Sequence, residues 1–169
     1  MLIYSDVITG DELLSSAFDI KEVDGVAYEV DAAMIKVKPG ADVDIGANPS
    51  AEGGDDGVAD DDTIQVNNVV YNSRLQETSF DKKSYVAYIK GYMKKVKAYL
   101  EENSPDQVAE FEKGAATYVK KIIGNFKDYE FFTGESMDPD GMVPLVNWRE
   151  DGVTPYVVFW KHGLKTMKV

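Results

Sequence analysis

Between Ile45 and Thr63 the sequence reads IGANPSAEGGDDGVADDDT. Oxygen donors at this density could hold a divalent cation. A helix-loop-helix calcium site needs ligands at fixed offsets, a glycine at its sharp turn and a closing bidentate Glu. With Gly57 at the turn, the ligand positions fall to Glu52, Gly54 and Asp56, and the closing position to Thr63. With Gly141 there, Ser136, Asp138 and Asp140 are followed by Asn147. Neither is such a site. Carboxylates can still attract calcium as a weak ligand, because ordering a pliant chain opposes binding. Asp60, Asp61 and Asp62 are the foremost candidates.

Catalytic groups are scarce. The chain has no cysteine and one histidine, His162. Disulfides, thiolate zinc sites, cysteine nucleophiles and paired-histidine metal sites are therefore excluded. Phosphate-binding loops, dinucleotide fingerprints, GxSxG and HExxH are missing as well. His162 precedes Gly163 and is expected at a surface turn. Glu135, Asp138 and Asp140 stand close together in GESMDPDG and read as an acidic turn. The expectation is a protein that is not an enzyme and requires no cofactor.

Lysines carry the remaining signal. Lys90, Lys94 and Lys97 recur at i, i+4 and i+7, one face of a helix. Such a face is either merely solvated or docks an acidic partner, such as tubulin's tails. It could also meet the chain's own acidic stretch. Nucleic acid is disfavoured by a net charge of −12 and no RNA-binding signature. Eight acids and no base fall between Lys38 and Arg74, so the overall charge says little about the folded body.

The elements that position these groups follow from periodicity. At 169 residues the chain is sized for one domain, 1–169. Its N-terminus lacks a basic, then apolar, leader, and no run of about 18 apolar residues suits a membrane. A cytoplasmic location is expected. LIYSDVI reads as a strand, Asp11–Ser15 as a turn of helix, and FDIKEVDGVAYEV as a hairpin about Asp24-Gly25. AAMIKV adds a strand. Residues 39–63, poor in large apolar groups, read as a mobile acidic loop. TIQVNNVVY and SRLQE return to strand.

Two helices are then predicted, 81–103 and 105–125. Tyr85, Val86, Ile89, Tyr92, Met93, Val96, Tyr99 and Leu100 make the first apolar stripe. Asp81 is its N-cap, with Phe80 and Tyr85 as a hydrophobic staple. Val108, Phe111, Ala115, Tyr118, Val119, Ile122 and Phe126 make the second. Ser104, Pro105 and Gln107 supply its capping box, and Gly124 or Asn125 ends it. So short a link makes an antiparallel helical hairpin. Strands follow, and the pattern is α+β.

IGANPSAEGGD, LQETSF, YIKGYMK, FFTGESMDPDGMV and REDGVTPY, in order along the chain, resemble the translationally controlled tumour protein family. The resemblance implies a β-tent core of short, mostly antiparallel strands, similar to a small Rab-binding accessory protein. It also implies the projecting helical hairpin and the long loop. Members of the family are described as cytosolic, calcium- and microtubule-associated, and growth-promoting, and a monomer is expected here. They are described too as anti-apoptotic through Bcl-family partners and as exchange factors for the small GTPase Rheb. A chaperone-like client binder is a further alternative. The family's GTPase-contact glutamate matches Glu12, and Glu135 is a second candidate on that surface. Glu12 also admits a plain helix N-terminal role. Pro144 departs from the family's small apolar residue and is expected to disturb one strand's pairing.

Overall fold

The computed structural model describes residues 1–37 and 64–168. The sheet that carries most of the core begins at the Asp24-Gly25 turn. Both residues adopt positive φ, 56° and 73°, which matches the twist of the flanking strands. They join β3 (Ile20–Val23) to β4 (Ala27–Asp31). Four more strands complete an antiparallel sheet of six: β7 (Gln76–Thr78), β8 (Glu130–Thr133), β9 (Leu145–Trp148) and β10 (Pro155–Trp160). Its order is β3-β4-β10-β9-β8-β7. All six residues of β10 are buried, as expected of a central strand covered on both faces.

A second sheet places β1 (Leu2–Asp6) between β2 (Glu12–Ser15) and β11 (Leu164–Lys168). Residues 11–15 are thus not a turn of helix. Glu12–Ser15 pairs with β1 across a turn in which Gly10 takes φ 84°. So short a segment cannot nucleate a helix alone, whereas a neighbouring strand offers ready backbone partners. A two-stranded ribbon joins β5 (Met34–Val37) to β6 (Ile64–Asn67).

The TIQVNNVVY stretch divides. Its strand stops at Asn67, whose side chain accepts from the amides of Val69 (2.9 Å) and Val70 (3.2 Å). That cap starts α1 (Asn68–Asn72). The SRLQE stretch becomes strand only at Gln76, because Arg74 sits at φ 55°. Pro144 leaves the pairing intact by preceding β9, and its carbonyl accepts from the Phe132 amide at 2.9 Å.

The long helices are α2 (Lys82–Asn103) and α3 (Val108–Gly124). Asp81 caps α2 by accepting from the Ser84 amide at 2.7 Å. The Phe80 and Tyr85 rings meet edge to face at 5.8 Å. The expected capping box of the second helix does not form. Pro105–Gln107 makes a 3-10 turn, and neither Ser104 nor Gln107 caps with its side chain. At the other end the Asn125 amide closes α3 onto the Lys121 and Ile122 carbonyls. Tyr85, Tyr92, Phe111, Tyr118, Phe159 and Trp160 are fully buried in the one apolar cluster that the helices share with the six-stranded sheet.

Candidate interaction surfaces

Helices α2 and α3 lie side by side, and Lys97 Nζ meets Glu112 Oε2 across them at 3.2 Å. Above this line runs a groove of about 640 Å³. Ile89, Met93, Phe111, Ala115 and Val119 contribute its apolar lining, and Lys90, Lys94, Lys97 and Lys120 its cations. The i, i+4, i+7 lysines therefore share one surface, with Lys97 already engaged by Glu112. Lys120 was invisible to that reading because it comes from the other helix. Lys95 leaves the groove and donates to the Asp140 carbonyl at 3.3 Å.

A second concavity, about 460 Å³, brings Glu12 of β2 together with Glu135 of the loop after β8. Arg74 also lines it and holds Glu135 at 3.1 Å. The two walls are joined beneath by Asp11, which accepts from the Ser136 amide (3.2 Å) and hydroxyl (2.6 Å). Gly134 lets these segments close, since a Cβ there would collide with the Asp11 carboxylate. Glu12 starts a strand, so the helix N-terminal role does not apply. Asp138 serves its own turn by accepting from the Asp140 amide at 2.9 Å.

His162 is not a surface residue. It is 5 % exposed, beneath the helices, with its ring edge-on to Phe111 at 5.2 Å. The turn signal at His162-Gly163 is real, but the 3-10 turn Lys161–Gly163 faces inward. Gly163 abuts the Tyr92 hydroxyl of α2. Burial holds the imidazole below its ordinary value of 6.5, assisted by Lys161 and opposed by Glu110 and Glu22.

The model of the family described as translationally controlled tumour protein matches residues 1–165. The chain belongs to that family. Translationally-controlled tumor protein homologs of Candida albicans and Saccharomyces cerevisiae are 64% and 62% identical to it over 169 residues, with full coverage of both chains. The solved structure of the Schizosaccharomyces pombe tumour-associated protein p23fyp superimposes with a TM-score of 0.83 at 60% identity, covering 100% of each chain. The Caenorhabditis elegans family structure gives 0.71 at 32% identity, covering 100% of this chain and 99% of that one. This family member is thus a mixed helix and antiparallel-sheet protein. No helix among the described residues is long and apolar enough to cross a membrane. Asp60, Asp61 and Asp62 lie outside the described residues, as does the whole of the 39–63 loop. Among the described residues no group of three or more His, Cys, Asp or Glu could hold a metal ion.

Proposed function

We propose that this family member is a non-enzymatic, cytoplasmic binding protein that docks acidic partners, microtubules first, in the groove between α2 and α3. The observation that supports this is the apolar floor ringed by lysines from both helices. Apolar burial supplies affinity, and the exposed cations steer an acidic chain and set its orientation. Weak calcium association, growth promotion and anti-apoptotic action through Bcl-family proteins belong to the same reading, as consequences of family membership. Co-sedimentation of the full chain with microtubules tests it. Lys90→Glu with Lys94→Glu should weaken binding, and added salt should weaken the unaltered chain, as screening over about 8 Å demands. Binding indifferent to both would remove the groove from the function.

A second reading, exchange of nucleotide on a Rheb-like GTPase, is supported by a different observation. Glu12 and Glu135 line one cleft although they are far apart in sequence. A carboxylate there can compete with Mg²⁺ or phosphate for switch-region groups. Nucleotide release from Rheb is the test, and a rate unchanged by the protein would end this reading.

A further inference from the structure

His162 lies where the turn after β10 meets both long helices. Neither ring nitrogen has a protein hydrogen-bond partner, although buried polar groups are ordinarily paired. The turn around it is fixed from the sheet side. The Lys161 amide donates to Val26 O at 2.8 Å, and the Val7 amide donates to Gly163 O at 3.0 Å. The His162 ring meets Phe111 on α3, and the adjacent Gly163 abuts the Tyr92 hydroxyl of α2.

Helix α3 is held unevenly. The polar links from α3 to the sheet, among the described residues, come from Tyr118 (2.7 Å to Glu29) and Lys121 (3.6 Å to Glu29). Both lie in its second half. The contacts of the first half include Phe111 on His162, Gly114 on Val26 and Asp24, Glu110 beside Gly25, and Glu112 on Lys97 of the other helix. It also starts without a side-chain cap.

We propose that His162 is an acid-sensitive latch on the first half of α3. Its protonation loosens residues 108–115 from the sheet while the Tyr118 end stays seated on Glu29. A charge formed under Phe111 would be buried without an assigned acceptor. The charged groups that act on it are Lys161 on its own turn, Glu110 on α3 and Glu22 on β3, while the Tyr92 hydroxyl of α2 stands against the adjacent Gly163. Glu22 is already engaged by Lys161 at 3.3 Å, which leaves Glu110 as the acid nearest to compensating.

The sign follows from the lowered native value. The unfolded or opened chain binds the proton first, so the closed state is at full strength above about 6.5 and weakens as pH falls below it. Each unit separating closed and open values is worth about tenfold in the opening equilibrium. Phe111 also lines the helix groove, so acid should reshape that surface. This last consequence rests on the docking reading above, and the latch does not.

Since His162 is the sole histidine, its ring resonances in the full chain report it without ambiguity. The expected result is a native titration below 6.5, with protection of the 108–115 amides falling in parallel between about pH 7 and pH 5 after correction for intrinsic exchange. Amides of β4 and β10 should keep their protection. His162→Phe should abolish the fall. Glu110→Gln, which leaves the core untouched, should move the ring titration to lower pH and deepen the loss, which still sets in below about 6.5. A ring that titrates at or above 6.5 would overturn the latch. So would unchanged protection at 108–115, or equal loss in β10. These outcomes are read without any partner, so a failure of microtubule binding leaves them intact.

Discussion

The Tyr118 hydroxyl donates to Oε2 of Glu29 over 2.7 Å, between two buried residues 89 positions apart. It fastens the second half of α3 to the second strand of the six-stranded sheet. The Tyr118 ring packs edge-on to Trp160 at 5.6 Å, so Tyr118→Phe would preserve the packing and remove only the bond. A hydrogen bond to a charged group contributes about 1.5–3 kcal/mol. Urea unfolding of this variant should show a loss of that order with an unchanged m-value. A loss below about 0.5 kcal/mol would mean that Glu29 finds another donor.

Arg149 completes the site from the far end of β9. Its Nη1 reaches Glu29 at 2.6 Å, its Nη2 reaches Asp31 at 2.7 Å, and its guanidinium covers the Tyr156 ring at 3.9 Å. Arg149→Ala would leave Glu29, whose side chain is 6% exposed, short of its main counter-charge. About 3–5 kcal/mol should be lost. Arg149→Lys should recover only part of it, since an ammonium cannot bridge both carboxylates in one plane.

The same cluster sets an acid limit. Burial alone would raise the Glu29 carboxyl. The bonds from Arg149 and Tyr118 and the charge of Lys121 outweigh it and hold the group below 4.5. Asp31, with burial likewise opposed by Arg149 and Lys21, is held below 3.8. Lowered carboxylates stabilise the fold above their unfolded values, and that stabilisation drains as pH falls through the native ones. Thermal midpoints should therefore drop below about pH 4.5, and the drop should be shallower in Arg149→Ala. This window lies below that of His162, so the two effects separate along the pH axis.

Gly114 tests the helix–sheet contact sterically. A Cβ there would stand 2.5 Å from Val26 Cγ1 and 2.6 Å from the Asp24 carbonyl oxygen. Alanine favours a helix by up to about 1 kcal/mol over glycine, but overpacking costs about 1–3 kcal/mol. With backbone as one of the obstacles, the clash should win. Gly114→Ala should lower the thermal midpoint, whereas Gly91→Ala in α2, where nothing lies within 4 Å, should raise it. A stabilised Gly114→Ala would show that α3 can shift away without loss.

The lysine groove predicts a separation of binding from stability. Lys90 and Lys94 are exposed and outside any ion pair among the described residues. Reversing both should leave the thermal midpoint nearly unchanged while microtubule binding falls. Adding Lys97→Glu sets two carboxylates against each other at position 112, so that variant should be the less stable one.

Some of this was readable from local chemistry. The helix stripes, the Asp81 cap, the Asp24-Gly25 turn and the Asn125 stop depend on neighbours within a few residues, and sequence records those contacts directly. The family motifs likewise lie in continuous stretches. The assignments that failed turned on a competing local partner or on packing against another element. Residues 12–15 became strand because β1 lay open beside them, and Asn67 ended a strand that its composition would have continued. Ser104 lost its cap to a 3-10 turn. His162 followed a hairpin-like signal, yet its side chain was buried because two helices close over that turn. Lys120, Arg74 and Arg149 carried no pattern of their own. Their roles depend on which charges the sheet and the helices bring within about 4 Å, the reach of an ion pair. Sequence by itself determined the two long helices, the Asp24-Gly25 hairpin and the family. The tertiary structure alone decided which acids and bases face one another, because those encounters join residues tens of positions apart through packing that no local pattern encodes.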